Sequence, residues 1–128
     1  MNEELFKLAY DFIKKHEGEK LKAYKDVGGL WTIGIGHLIT EYDKKNYNWQ
    51  DLENLEISQE VCDNLFRLDL TACYDCLKKQ ELLDLSNSQK VALMSFIFNL
   101  GTSNFASSAL LKVLKSKNFD SVKTELIK

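Results

Sequence analysis

The segment Glu17–His37 reads EGEKLKAYKDVGGLWTIGIGH, and its residue pattern differs from everything on either side of it. Before it, Leu5, Leu8, Ala9, Phe12 and Ile13 recur at helical spacing, which predicts a helix over 3–16. Asn2 can cap that helix, and Glu3 and Glu4 complement its dipole in the first turn. Gly18 is a stop signal, so Glu17 falls at the end of a rigid element. Within the segment, Gly28-Gly29 is a hairpin signal. Trp31-Thr32-Ile33-Gly34-Ile35 is rich in the β-branched and aromatic residues that strands prefer. Two short antiparallel strands, with a third, are expected here.

After the segment, helical patterning returns. Residues 41–54 read as a loop or short helix. Residues 59–80 form a long helix capped by Ser58. Residues 87–100 form another, with Ser86 and Gln89 in a capping box. This second helix is apolar almost all round and is expected to be buried. Residues 105–115 and 119–127 complete the helical set. The class is α+β, in one domain over 1–128. A small β-containing lobe (about 17–57) is set into a larger helical part (1–16 and 58–128), and clefts between such lobes are natural substrate sites.

Composition narrows the function. The chain has 128 residues, 45% hydrophobic and 28% charged, with a net charge of −2. That is enough to bury a core without disulfides or metal. A general nucleic-acid binder would carry a basic excess. No basic, then purely apolar, leader opens the chain, so no signal peptide is expected. Val91–Leu111 is uncharged, but Asn99, Gly101, Thr102, Ser103 and Asn104 interrupt it. Its apolar part falls well short of the ~20 residues a membrane span needs, so no membrane insertion is expected. Three cysteines, Cys62, Cys73 and Cys76, favour reduced thiols over a disulfide framework.

Two carboxylates in one short segment are the chemical signal. Glu17, at a helix end, can be partly shielded, which suits a general acid. Asp26 follows on a turn, where it can activate a water or steady positive charge. Thr32, on the facing strand, can hold that water through its hydroxyl. The spacing alone also describes three unrelated polar surface residues.

Eight residues separate Glu17 from Asp26, and five separate Asp26 from Thr32. This pattern resembles the Glu–Asp–Thr triad of the phage-type lysozymes, including the T4-lysozyme-like endolysins of glycoside hydrolase family 24. Tyr24-Lys25-Asp26 and Thr32-Ile33-Gly34-Ile35-Gly36-His37 are also similar to the family. So is Asn99-x-Gly101 followed by Phe105 and Ser108-x-Leu110-Leu111. The similarity runs from about residue 5 to the C-terminus.

The resemblance implies a lysozyme-like fold and hydrolysis of the β-1,4 bond between N-acetylmuramic acid and N-acetylglucosamine in peptidoglycan, generally with inversion. It implies Glu17 as proton donor, with Asp26 and Thr32 handling the attacking water. An inverting enzyme holds its carboxyls ~6.5–9.5 Å apart. Leu38, Phe98 and Asn99 resemble cleft wall, with Phe98 equally readable as core. Ser108 resembles a saccharide contact. His37 resembles a structural histidine paired with an aspartate on the long helix, which places its partner at Asp69. No cofactor or metal is implied, and peptidoglycan is the expected partner.

Other readings fit less well. Gly34-x-Gly36 opens like a dinucleotide fingerprint, but Ile39 stands where its last glycine would be. Cys62 and Cys73 lie about 16 Å apart along one helix, too far to share a zinc. Family members usually continue into a further helical segment with basic groups, and the chain stops at Lys128 before such a pattern. Self-association through the face this leaves is an expectation. So is accumulation in the bacterial host cytoplasm before release to the wall. A catalytically weak peptidoglycan-binding protein of the same fold is the alternative function.

Overall fold

The computed structural model describes residues 1–101. The sequence readings at 105–115, 119–127 and Ser108 lie outside the described residues. Helix α1 (Glu3–Glu17) leads into β1 (Lys20–Lys25), β2 (Trp31–Gly34) and β3 (His37–Leu38). Helix α2 (Glu41–Asn46), a single 3₁₀ turn (Leu52–Asn54), α3 (Gln59–Lys79) and α4 (Asn87–Leu100) follow. The 41–54 region thus resolves into a short helix and one tight turn. The result is an α+β arrangement, a helix, then a three-stranded antiparallel sheet, then further helices.

Helix boundaries follow from side-chain caps. Asn2 Oδ1 accepts the Leu5 N–H at 2.8 Å. Ser58 Oγ accepts the Val61 N–H at 3.2 Å at the start of α3. Ser86 and Gln89 exchange a full capping box at α4. Each cap satisfies donors that the first helical turn leaves without partners. Gly18 ends α1 in a left-handed conformation (φ 73°), with its N–H donated to the Lys14 carbonyl at 2.8 Å.

The three strands form one antiparallel sheet in the order β1-β2-β3. Tyr24 pairs with Thr32 and Lys25 with Trp31, while Lys20 pairs with Gly34. Four residues of β1 therefore match two of β2, so β1 is bulged. Thr32 pairs with Leu38 and Ile33 with His37. The outer edge of β1 is covered as well. Ala23 donates to the Leu55 carbonyl at 3.0 Å, and Ile57 donates to Leu21 at 2.9 Å.

The described chain divides into two compact units, with boundaries inside α1 and α3. Ile13–Asp69 is one unit. Its buried apolar set is Ile13, Ile33, Ile35, Ile57, Cys62, Leu65 and Phe66, and Thr32 and Asp43 are buried with it. The other comprises Met1–Phe12 and the residues from Leu70. Its buried set includes Leu5, Ala9, Leu70, Leu77, Leu93, Met94 and Ile97. On α1, Leu5, Ala9 and Ile13 are buried, whereas Leu8 and Phe12 keep 44% and 41% of their surface. All three cysteines are buried, and none is in a disulfide. No helix of the described residues is long and apolar enough to cross a membrane.

Gly34 and Gly36, the pair that imitates a nucleotide loop, form the β2–β3 turn. Both have positive φ (67° and 62°), where side chains are strained. Gly34 is also buried, and a Cβ there would stand 3.2 Å from the Cys62 Sγ on α3. Gly34→Ala should therefore destabilise the protein by about 1–3 kcal/mol. Chemical denaturation against wild type measures this, and an unchanged midpoint would contradict the close approach.

Candidate active site

Glu17, Asp26, Thr32, His37, Leu38 and Asp69 all belong to the Ile13–Asp69 unit. Glu17 is the last residue of α1, and its side chain is half-buried. Among the described residues, no hydrogen bond or ion pair occupies its carboxylate.

Asp26 begins the five-residue connection between β1 and β2. Its backbone N–H donates to the Leu30 carbonyl at 2.9 Å, and its carbonyl accepts the Gly29 N–H at 2.9 Å. Its side chain closes the loop from inside. Oδ1 accepts the Gly28 N–H at 2.8 Å and the Leu30 N–H at 2.9 Å. This dual acceptance is why the Gly28-Gly29 signal gives a five-residue loop rather than a two-residue turn. Glycine suits position 28 because a Cβ there would sit 3.3 Å from the Asp26 Oδ1. Oδ2 takes no hydrogen bond from the described residues.

Thr32 is 4% exposed, and its hydroxyl donates to the Leu30 carbonyl at 3.1 Å. Its proton is thus committed inward, and its lone pairs remain to accept. Leu30 links the two residues, giving its N–H to Asp26 and its carbonyl to Thr32.

Tyr24 joins this group directly across the sheet from Thr32. Burial raises its phenol above the ordinary tyrosine value, and the Glu17 and then the Asp26 carboxylates raise it further. The Lys20 Nζ lies 4.4 Å from the Tyr24 ring centroid. The Lys25 Nζ lies 5.4 Å from that of Trp31.

His37 stands behind the sheet corner. Its Nδ1 is 2.7 Å from Asp69 Oδ2 on α3, the position that the resemblance implies for its partner. Its Nε2 is 2.7 Å from Asp43 Oδ2 on α2. Burial alone would lower the histidine's pKa, but the hydrogen bonds and charges of Asp69 and then Asp43 prevail and raise it from 6.5 to about 9. Burial works against Asp43 ionisation too, yet the Thr40 N–H and His37 hold its pKa below the ordinary carboxylate value. Asp43 also completes the α2 capping box, accepting the Thr40 N–H at 3.0 Å.

The remaining sequence candidates are placed as follows. Leu38, on β3, is 48% exposed. Phe98 and Asn99 lie on α4 in the other unit. Phe98 is half-buried, and Asn99 is exposed, with Nδ2 donating to the Ser95 carbonyl at 3.1 Å. Sequence reasoning missed Asp43 and the part played by Tyr24. The Thr40-x-x-Asp43 cap spacing after His37 was the available signal for the first. The cross-strand register carries the second, and it is not visible without pairing the strands. Among the described residues, no group of three or more His, Cys, Asp or Glu side chains could hold a metal ion.

Comparison with known proteins finds the phage lysozyme family model matching residues 14–128. An endolysin of Salmonella phage P22 is 37% identical over 107 residues, covering 84% of this chain and 70% of that protein. A probable T4-type lysozyme of Dictyostelium discoideum is 33% identical over 135 residues, covering 91% and 79% respectively. The crystal structure of a P22 lysozyme mutant aligns with a TM-score of 0.66 at 32% identity, covering 90% of this chain and 75% of that one.

The His37 cluster predicts a pH dependence of stability. A raised folded-state pKa contributes stability that is complete below about 6.5 and is lost as pH rises toward about 9. Asp43 acts oppositely, contributing above its ordinary value of 3.8 and losing that contribution as pH falls. Asp69→Asn should cost about 1–3 kcal/mol near pH 6, with the gap to wild type narrowing toward pH 9.5. Denaturant melts across that range measure it, and a constant gap would contradict the ion pair.

Proposed function

Because the chain belongs to the phage lysozyme family of glycoside hydrolases, we propose that it is a peptidoglycan muramidase. It cleaves the β-1,4 bond between N-acetylmuramic acid and N-acetylglucosamine, with Glu17 as proton donor and Asp26 and Thr32 as the water-handling pair. The observation that carries this reading is the division of labour at the Asp26 loop. Asp26 Oδ1 is consumed by two backbone N–H groups, and the Thr32 proton is consumed by the Leu30 carbonyl. What remains is one carboxylate oxygen and the lone pairs of the hydroxyl, all of them acceptors.

A water placed against that pair donates both its hydrogens, to Asp26 Oδ2 and to Thr32 Oγ1. Its own lone pair then points away from the protein, toward an anomeric carbon. As the water attacks, its proton passes to Asp26. Glu17 meanwhile gives its proton to the departing glycosidic oxygen. The two carboxyls end with their protonation exchanged, and proton exchange with solvent restores them. Water acting directly as nucleophile inverts the anomeric centre, which requires no covalent intermediate. Leu38, Phe98, Asn99 and Ser108 are proposed to line the saccharide site, and peptidoglycan is the proposed partner.

Glu17→Gln should reduce clearing of outer-membrane-permeabilised cells at least about 100-fold, the usual scale for loss of a general acid. Equal clearing by the variant would reject Glu17 as donor. No clearing by wild type, together with co-sedimentation with peptidoglycan, would favour a binding protein instead. Proton NMR of the first-formed products reads the stereochemistry, and retained configuration would reject direct water attack.

A further inference from the structure

We propose that Asp43 is a positioning residue for substrate binding, which fixes Leu38 against the saccharide by clipping the segment that carries it at both ends. This inference rests on the muramidase reading above, which gives Leu38 a place in the saccharide wall and gives Asp43 no role. Leu38 lies on β3, a strand of two residues at the edge of the sheet, with β2 on one side only. Its partner on β2 is Thr32, so Leu38 and the threonine of the water site share a face. His37, the residue before it, points to the other face. A strand this short has little pairing of its own to hold an exposed side chain in one place.

One carboxylate oxygen supplies what the strand lacks. Asp43 Oδ2 is 2.7 Å from the His37 Nε2 and accepts the Thr40 N–H at 3.0 Å. His37 and Thr40 bracket Leu38 and Ile39, so this segment is closed on a single atom. Between its ends, the Ile39 N–H donates to the Trp31 carbonyl at 3.0 Å. The oxygen is itself held in place. Asp43 is 6% exposed in the first turn of α2, and its N–H donates to the Thr40 Oγ1 at 3.1 Å. The Leu38 side chain thus stands 48% exposed on a backbone tethered before it and after it. An apolar group binds better from a fixed position, because its ordering precedes the arrival of substrate.

The clip depends on charge. The charged groups that face the His37 ring are Asp69 from α3 and Asp43 from α2, and Ile33 opposite it on β2 is apolar. With both carboxylates ionised, the ring stays doubly protonated and donates on both sides. Asp43→Asn keeps the shape and removes one charge. Asp69 alone then opposes the effect of burial, and the ring loses a proton at lower pH. A neutral ring has one donor and one acceptor. When Asp69 takes the Nδ1–H, the Nε2 lone pair faces the asparagine. The amide oxygen repels that lone pair, and the amide NH₂, turned inward to meet it, abandons the Thr40 N–H. Either way one end of the clip opens.

Two measurements test this. The first needs no activity. By NMR, the His37 ring titrates at about 9 in wild type. In Asp43→Asn it should titrate about one unit or more lower, and hydrogen exchange at the Thr40 amide should quicken. An unchanged titration or an unchanged exchange overturns the clip. The second is steady-state hydrolysis of solubilised glycan strands by wild type, Asp43→Asn, Leu38→Ala, the double variant and Thr40→Val. Asp43→Asn should raise KM about threefold or more and leave kcat nearly unchanged, with the rise growing as pH passes the lowered titration. The double variant should have the same KM as Leu38→Ala alone, because Asp43 acts through Leu38. Thr40→Val removes the hydroxyl that caps α2 but keeps the Thr40 N–H, so it should lower the melting temperature and leave KM in place. Additive KM effects in the double variant, a loss confined to kcat, or an equal KM rise in Thr40→Val each overturn the proposal. Should wild type hydrolyse no glycan, the muramidase reading falls and takes the Leu38 role with it, while the ring titration and the amide exchange still decide whether Asp43 holds the 37–40 segment.

Discussion

The His37 imidazole holds three elements together through two contacts of 2.7 Å. It stands on β3, and its partners stand on α2 and α3. An imidazole placed between two carboxylates can satisfy both only as the imidazolium, which has a donor at each nitrogen. That is why two acids outweigh the burial that would otherwise keep the ring neutral. Such a pairing fixes geometry as well as charge. Removing one acid leaves the remaining charges partly buried with less compensation, so the cost of breaking the cluster exceeds what making it contributes.

This constraint propagates along the sheet. His37 pairs with Ile33, and Leu38 pairs with Thr32. Thr32 in turn pairs with Tyr24 on β1. A one-residue slip of β3 would carry every side chain of that strand to the other face. It would also separate His37 from both acids. The cluster therefore stabilises the register in which Thr32 lies opposite Leu38. Gly34 and Gly36 supply the tight turn that lets β3 return at that register, and Cys62 fills the space that the missing Gly34 side chain leaves.

Much of this was legible in the sequence, for identifiable reasons. Helix ends were readable because Asn2, Ser58 and Ser86 cap through short-range hydrogen bonds. The change of period at Gly18 marked the sheet because a left-handed glycine ends a helix wherever it occurs. The His37–Asp69 pair was reached by resemblance, since 32 residues separate its members and no local rule joins them. Asp43 escaped notice because one carboxylate does two things, capping α2 and pairing with His37, and its spacing advertises only the first. Tyr24 escaped notice because the β1 bulge shifts the pairing away from what simple alternation would give. Readings that depend on local spacing succeeded, and those that depend on which strand residues face each other needed coordinates.

The Asp26 loop shows why the acids can sit so close to a turn without wasting it. The Asp26 carboxylate gives the loop an internal acceptor for two backbone N–H groups that would otherwise turn to water. Asp26 supplies that acceptor with Oδ1 and, in the proposed mechanism, keeps Oδ2 for the water. Leu30 completes the link by binding Asp26 through its N–H and Thr32 through its carbonyl. The hydrogen bonds that fold the loop therefore also aim the two acceptors that remain. On the proposed mechanism folding and chemistry use the same carboxylate, so a change that loosens the loop would also misdirect the water. A separate structural acceptor would uncouple them, but Asp26 would then be free to rotate. Sharing the residue replaces that rotational freedom with a fixed orientation, and fixed acceptors are what a water nucleophile needs.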